Sequence, residues 1–145
     1  MKLNDIIEQW EEDSIINAEN ITSQSLTTLQ LHSKYIKIYM NEVSYLKKYK
    51  SDHKKIYRAK WSYYLGYMDK EELELHGWEP FQFKILKQDI SIYLDGDEEL
   101  SDVLLKYELQ EEKVKILDQI IKAINSRNFT IKNHIDSKKF ENGIN

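Results

Sequence analysis

At 145 residues the chain fits one folding unit of the usual ~100–200 residues and leaves no room for two large domains. Hydrophobic residues make up 41% and charged residues 32%, with only 4 Gly and 1 Pro, a balance that argues against disorder and against a turn-rich β-sandwich and favours long helices. Cys is absent and the net charge is −4, which removes disulfides, thiolate metal sites and cysteine nucleophiles, fits a reducing interior, and on its total alone argues against a polyanionic partner.

The opening residues lack the apolar core of a signal peptide, and no apolar run approaches the ~20 residues of a bilayer crossing, so a protein neither secreted nor membrane-bound is expected. Leu3, Ile6, Ile7 and Trp10 recur at helical spacing, with Asn4 or Asp5 as a cap, and predict a short amphipathic helix. After the Asx- and hydroxyl-rich stretch from Asn17 to Ser25, a much longer helix is expected to run without Gly or Pro to about Leu65, stopping at Gly66. Such a helix needs another long helix or another subunit to pack against.

The stretch from Gly66 to Gly96 holds three of the four glycines and the single proline, Pro80, and reads as a connection. Phe81, Phe83 and Ile85, and then Ile90, Ile92 and Leu94, alternate with polar or aromatic residues, which suits a small β-hairpin, with short helical turns or an irregular path as the alternatives. From Asp97 the helical pattern returns through Leu100, Leu104, Tyr107, Val114, Leu117, Ile121 and Ile124 to Arg127. Asn128 can end that helix in the left-handed conformation, leaving Phe129, Ile131, Ile135 and Phe140 for a short last helix closed by Gly143. The expected fold is all-α: one domain, 1–145, with an N-terminal helix and a long basic helix (1–66), a connection (67–96), and C-terminal helices (97–145). Its two long helices form an extended hairpin.

Little of this sequence suits catalysis. Glycines at 66, 77, 96 and 143 build neither a phosphate-binding loop nor a dinucleotide turn. His32, His53, His76 and His134 are too far apart to share a helix face as metal ligands, and ordinary surface or core positions account for them. The acids at Glu71, Glu72 and Glu74 and from Asp95 to Asp102 lack the spacing of a Ca²⁺ loop and suit helix N-termini. No enzyme, no metal and no cofactor is expected.

The charge, however, is unevenly spread. Residues 1–33 sum to −5, residues 34–60 to +7 and residues 61–145 to −6. In the basic stretch Lys47, Lys48, Lys50, Lys54, Lys55, Arg58 and Lys60 run alongside Tyr45, Tyr49, Tyr57, Trp61, Tyr63 and Tyr64, and eight of the ten tyrosines lie between 35 and 67. Unpaired nucleic acid calls for this mixture: cations neutralise phosphates, and flat rings stack on bases at about 1–3 kcal/mol each. On a helical wheel the apolar face of Ile36, Met40 and Val43 runs into Lys47, Lys50 and Lys54 and then Tyr57 and Trp61. Several ammonium groups cannot be buried dry, so that face meets water, acidic groups such as Glu111 and Glu112 on an antiparallel helix, or a polyanion. Residue physics leaves two readings open, a polyanion binder and a helical assembly or adaptor protein without nucleic-acid binding.

The order of several short segments resembles the UvsY-type recombination mediators of tailed phages. These are Met1-Lys2-Leu3-x-Asp5, Leu31-His32-Ser33-Lys34-Tyr35, Arg58-Ala59-Lys60-Trp61-Ser62-Tyr63-Tyr64-Leu65-Gly66, Ile124-Asn125-Ser126-Arg127-Asn128-Phe129-Thr130-Ile131-Lys132 and Lys139-Phe140-Glu141-Asn142-Gly143. The stretch from about 68 to 112 matches poorly. The resemblance implies a non-enzymatic protein in the cytoplasm of an infected bacterium that binds single-stranded DNA. It also implies a ring-like homo-oligomer of about six or seven subunits. Such an assembly loads the phage recombinase onto DNA coated by the phage single-strand DNA-binding protein, in recombination, replication and repair. The family's basic-x-basic pair falls on Arg58 and Lys60, followed by Tyr63 and Tyr64, making these the first expected DNA contacts, with Lys54 and Lys55 upstream. Trp61 stands where an aliphatic residue can occur and can pack instead of stacking. Self-assembly is associated with the C-terminal part, here Leu117, Ile120, Ile121, Ile124, Phe129, Ile131, Ile135 and Phe140.

Overall fold

The structure is a computed structural model and is described for residues 1–143. Five α-helices follow in chain order: α1 (Leu3–Asp13), α2 (Ile21–Tyr64), α3 (Lys70–His76), α4 (Ile90–Asp95) and α5 (Glu98–Glu141). There is no strand among the described residues. Both α2 and α5 have 44 residues. They contribute to two compact units, one formed by Met1–Ser44 with the chain from Glu112 onward, the other by Tyr45–Glu111.

The first unit gathers α1, the first half of α2 and the second half of α5. Its core is Ile6, Tyr35, Leu117, Ile120, Ile121 and Ile124, flanked by Trp10, Leu31, Ile36, Ile38, Tyr39 and Ile116. Each fully buried Ile or Leu contributes about 1.5–3 kcal/mol. Trp10 meets Tyr35 edge to face at 5.4 Å. Asp13 at the end of α1 accepts from Lys34 Nζ at 2.6 Å and from the Tyr35 hydroxyl at 2.9 Å. Burial first, and then this bond to Asp13, raise the Tyr35 phenol well above its ordinary value. Buried Arg127 donates to Ser14 O (3.1 Å), Ile15 O (3.4 Å) and Gln24 Oε1 (2.8 Å), tying α5 to the turn after α1 and to the start of α2. With Lys113 at 3.3 Å from Glu42, these contacts show that α2 and α5 run antiparallel here.

In the second unit the same two helices are again antiparallel, since Lys60 meets Asp97 and Lys106 lies over Tyr49. Gly66, at φ +74°, closes α2: Gly66 N–H donates to Tyr63 O and Tyr67 N–H to Ser62 O, a left-handed helix stop that a side chain would strain. Asp69 caps α3 through Glu72 N–H at 2.8 Å, and Asp97 caps α5 through Leu100 N–H at 2.8 Å. Ring contacts join Tyr63, Tyr64, Trp78, Phe81 and Tyr93.

Four expectations are corrected. The alternating residues 81–94 do not form a hairpin. Pro80 lacks an N–H, Phe81 turns into the ring cluster, and 90–95 are helical, so that Leu94 is buried while Ile92 is 69% exposed. Asn128 does not end a helix, because Ile120, Ile124, Arg127 and Ile131 keep one buried face at three- and four-residue steps straight through it. Finally, α1 begins at Leu3 with Lys2 as its N-cap and no side-chain cap. The long helix starts at Ile21, after a 3₁₀ turn over Ala18–Asn20, and runs through the hydroxyl-rich stretch, where Ser23 bonds back to Asn20 O and Thr27 and Thr28 to Gln24 O.

Candidate nucleic-acid interface

Within the second unit, α2 separates its charges by face. Lys47, Lys48, Lys50, Lys54, Lys55 and Arg58 are all exposed. None of these six joins an ion pair among the described residues. Of the α5 acids expected to neutralise them, Glu112 pairs with Lys115 at 3.3 Å and Glu111 joins no ion pair among the described residues. This stretch of α2 therefore faces solvent as a row of uncompensated cations with a single acid, Asp52, among them.

Lys60 departs from the expectation that it contacts phosphate. It is 6% exposed. Its ammonium lies 3.1 Å from Asp97 and 3.1 Å from Glu99, and 3.9 Å over the Trp78 ring. Trp78 in turn donates from Nε1 to Glu99 at 2.8 Å. The helical period puts Lys60 on the packed face, two residues and half a turn away from Arg58, so the basic-x-basic pair points in two directions. Asp97 is held below its ordinary value: burial pushes it up, but hydrogen bonds from Tyr64, Leu100 N–H and Lys60, with the Lys60 charge, outweigh that push.

The aromatic candidates divide in the same way. Tyr63 donates to Glu79 O at 2.6 Å and Tyr64 to Asp97 at 2.6 Å. Burial, and then the bond to Asp97, raise the Tyr64 phenol far above its usual range. Both rings are packing groups. Tyr57 is 46% exposed, its ring 6.1 Å from His53, which stacks on Tyr107 at 6.0 Å. Trp61 is half-buried and meets Tyr67 edge to face at 6.0 Å. Two neighbours lay outside the expected site. Lys106 is an exposed cation 4.5 Å over the Tyr49 ring, and Tyr67 is an exposed ring at the end of α2. Lys106 was hidden by its acidic sequence neighbours, since only the pairing of two distant helices brings it beside Tyr49.

The expected assembly surface is corrected as well. Leu117, Ile120, Ile121, Ile124 and Ile131 are buried within the chain's own first unit, because α1 and α2 already cover that face of α5. Ile135 is half-buried, while Phe129 and Phe140 are 67% and 82% exposed. Among the described residues no three His, Asp or Glu side chains gather as a metal-binding group, and no helix is long and apolar enough to cross a membrane.

The family model described as "Recombination, repair and ssDNA binding protein UvsY" matches residues 9–144. Crystal structures of the bacteriophage T4 recombination mediator protein UvsY are similar in fold. Lattice type II superposes with TM-score 0.86 at 21% identity over 97% of this chain and 98% of that one. Lattice type IV superposes with TM-score 0.85 at 20% identity over 97% and 99%. No curated protein sequence matches the chain.

Proposed function

The chain belongs to the UvsY family of recombination, repair and single-stranded-DNA-binding proteins, and from that premise we propose that it binds single-stranded DNA along the basic stretch of α2 and acts as a recombination mediator. The observation that carries this reading is the set of six exposed cations on α2 that find no carboxylate partner in a chain of net charge −4. The row of Lys47, Lys48, Lys50, Lys54, Lys55 and Arg58 supplies the positive field that draws the phosphates in, and Tyr57, with Trp61 at its edge, supplies ring surface for bases. Lys60, Tyr63 and Tyr64 hold the helix that carries them.

A homo-oligomeric ring, with Phe129 and Phe140 among its contacts, multiplies a modest patch into a tight grip when one strand touches several copies. A strand bent over many such patches is weakened in its hold on the single-strand DNA-binding protein and presented to the phage recombinase, in the cytoplasm of the infected host. The alternative is an adaptor whose lysines pair with acidic helices; among the described residues none of the six cations makes such a pair within the chain.

Fluorescence anisotropy of a labelled oligonucleotide, titrated at several salt concentrations, tests the binding. Sequence-tolerant binding with a log–log salt slope of about −0.7 per phosphate contacted is expected. Absence of binding at low ionic strength would overturn the reading. The mediator step is tested by the rate at which the recombinase assembles on a strand precoated with single-strand DNA-binding protein, which the chain should raise.

A further inference from the structure

Single-stranded DNA binding leaves open how a strand lies on α2, and the two flanks of the helix differ. On one flank Lys47, Lys50, Lys54 and Arg58 recur at steps of three, four and four residues, with exposed Tyr57 beside them and no acid between them. On the other, Lys48 and Lys55 bracket Asp52, which stands four residues after one and three before the other, so its carboxylate shares their face. A phosphate chain is attracted along the first flank and meets a like charge on the second.

Steps of three and four residues advance about 4.5 and 6 Å along a helix axis, so these four cations form one continuous row. Resting on the single-stranded DNA reading, we propose that the strand runs parallel to α2 on the Lys47–Lys50–Lys54–Arg58 flank, its phosphates on that row and an unstacked base on Tyr57. The bases of a duplex stay stacked on one another and leave the Tyr57 ring uncovered, so the same flank favours unpaired strands.

Two double variants that each remove two exposed charges from the same turns of α2 separate flank from overall field: Lys50→Gln with Lys54→Gln, and Lys48→Gln with Lys55→Gln. Circular dichroism melting confirms that both fold like the parent. With an oligonucleotide of about eight nucleotides, the first pair should weaken binding at least tenfold and flatten the salt slope by about 0.7 per phosphate lost. The second pair should cost less than about threefold, as expected for a screened charge at a distance. Equal losses from the two pairs overturn the inference and leave the single-stranded DNA reading standing. A parent protein that does not bind at all removes both.

Discussion

Lys54 and Lys60 lie on the same helix and do unlike work. Lys54 is solvated, and its replacement by Ala should leave stability within about 0.5 kcal/mol of the parent while weakening DNA binding. Lys60→Ala strands the Asp97 carboxylate in a buried site and removes the ammonium from the Trp78 face. A loss on the order of 3 kcal/mol in urea unfolding is expected, together with a red-shifted Trp78 emission. Asp97 also sets an acid limit for the second unit. Its folded value lies below the ordinary 3.8, so its stabilising effect is complete above that value and disappears as pH falls through the lower, folded one. Urea midpoints measured downward from pH 5 should therefore drop below about pH 4. An Asp97→Asn variant should show a shallower drop from a lower starting midpoint.

At the scale of the element, residue spacing was a good guide where burial was continuous and a poor one where it was not. The two long helices, the stop at Gly66 and the short first helix follow from apolar periodicity and from the lack of breakers. The stretch 81–94 misled because Phe81 and Tyr93 are recruited by Tyr64 and the ring cluster, a contact between distant segments that no local pattern encodes. Asn128 misled because its left-handed tendency is weaker than the burial of Ile124 and Ile131 on either side of it. In the site, the six exposed cations were legible as a basic run, but the direction in which Lys60, Tyr63 and Tyr64 point depends on where α5 begins. The same logic divides the assembly residues of α5. Ile124→Ala should cost about 2–5 kcal/mol of stability through a core cavity. Phe129→Ser with Phe140→Ser should leave the melting curve unchanged and lower the mass seen by sedimentation velocity.

On the proposed reading, the charge of the whole molecule suits repeated weak contact. Acidic segments lie on either side of the basic stretch in the sequence, which would confine attachment to α2 and keep each copy's hold modest. Affinity should therefore rise steeply with oligonucleotide length, by about 10²-fold or more once one strand reaches a second copy, and the Phe129/Phe140 double variant should lose that length dependence while keeping its affinity for the shortest strands. Isothermal titration across a length series checks this.

The boundaries between the two compact units fall inside α2 and α5, at Ser44–Tyr45 and Glu111–Glu112, with helix on both sides of each. A protease cleaves exposed, unwound backbone, and both positions lie within helix. Its opening lies in the non-helical stretch between Gly77 and Leu86, where Phe83 and Leu86 are exposed. A single nick there should yield two fragments on a denaturing gel that still travel as one particle under native conditions, because each fragment carries one long helix through both units.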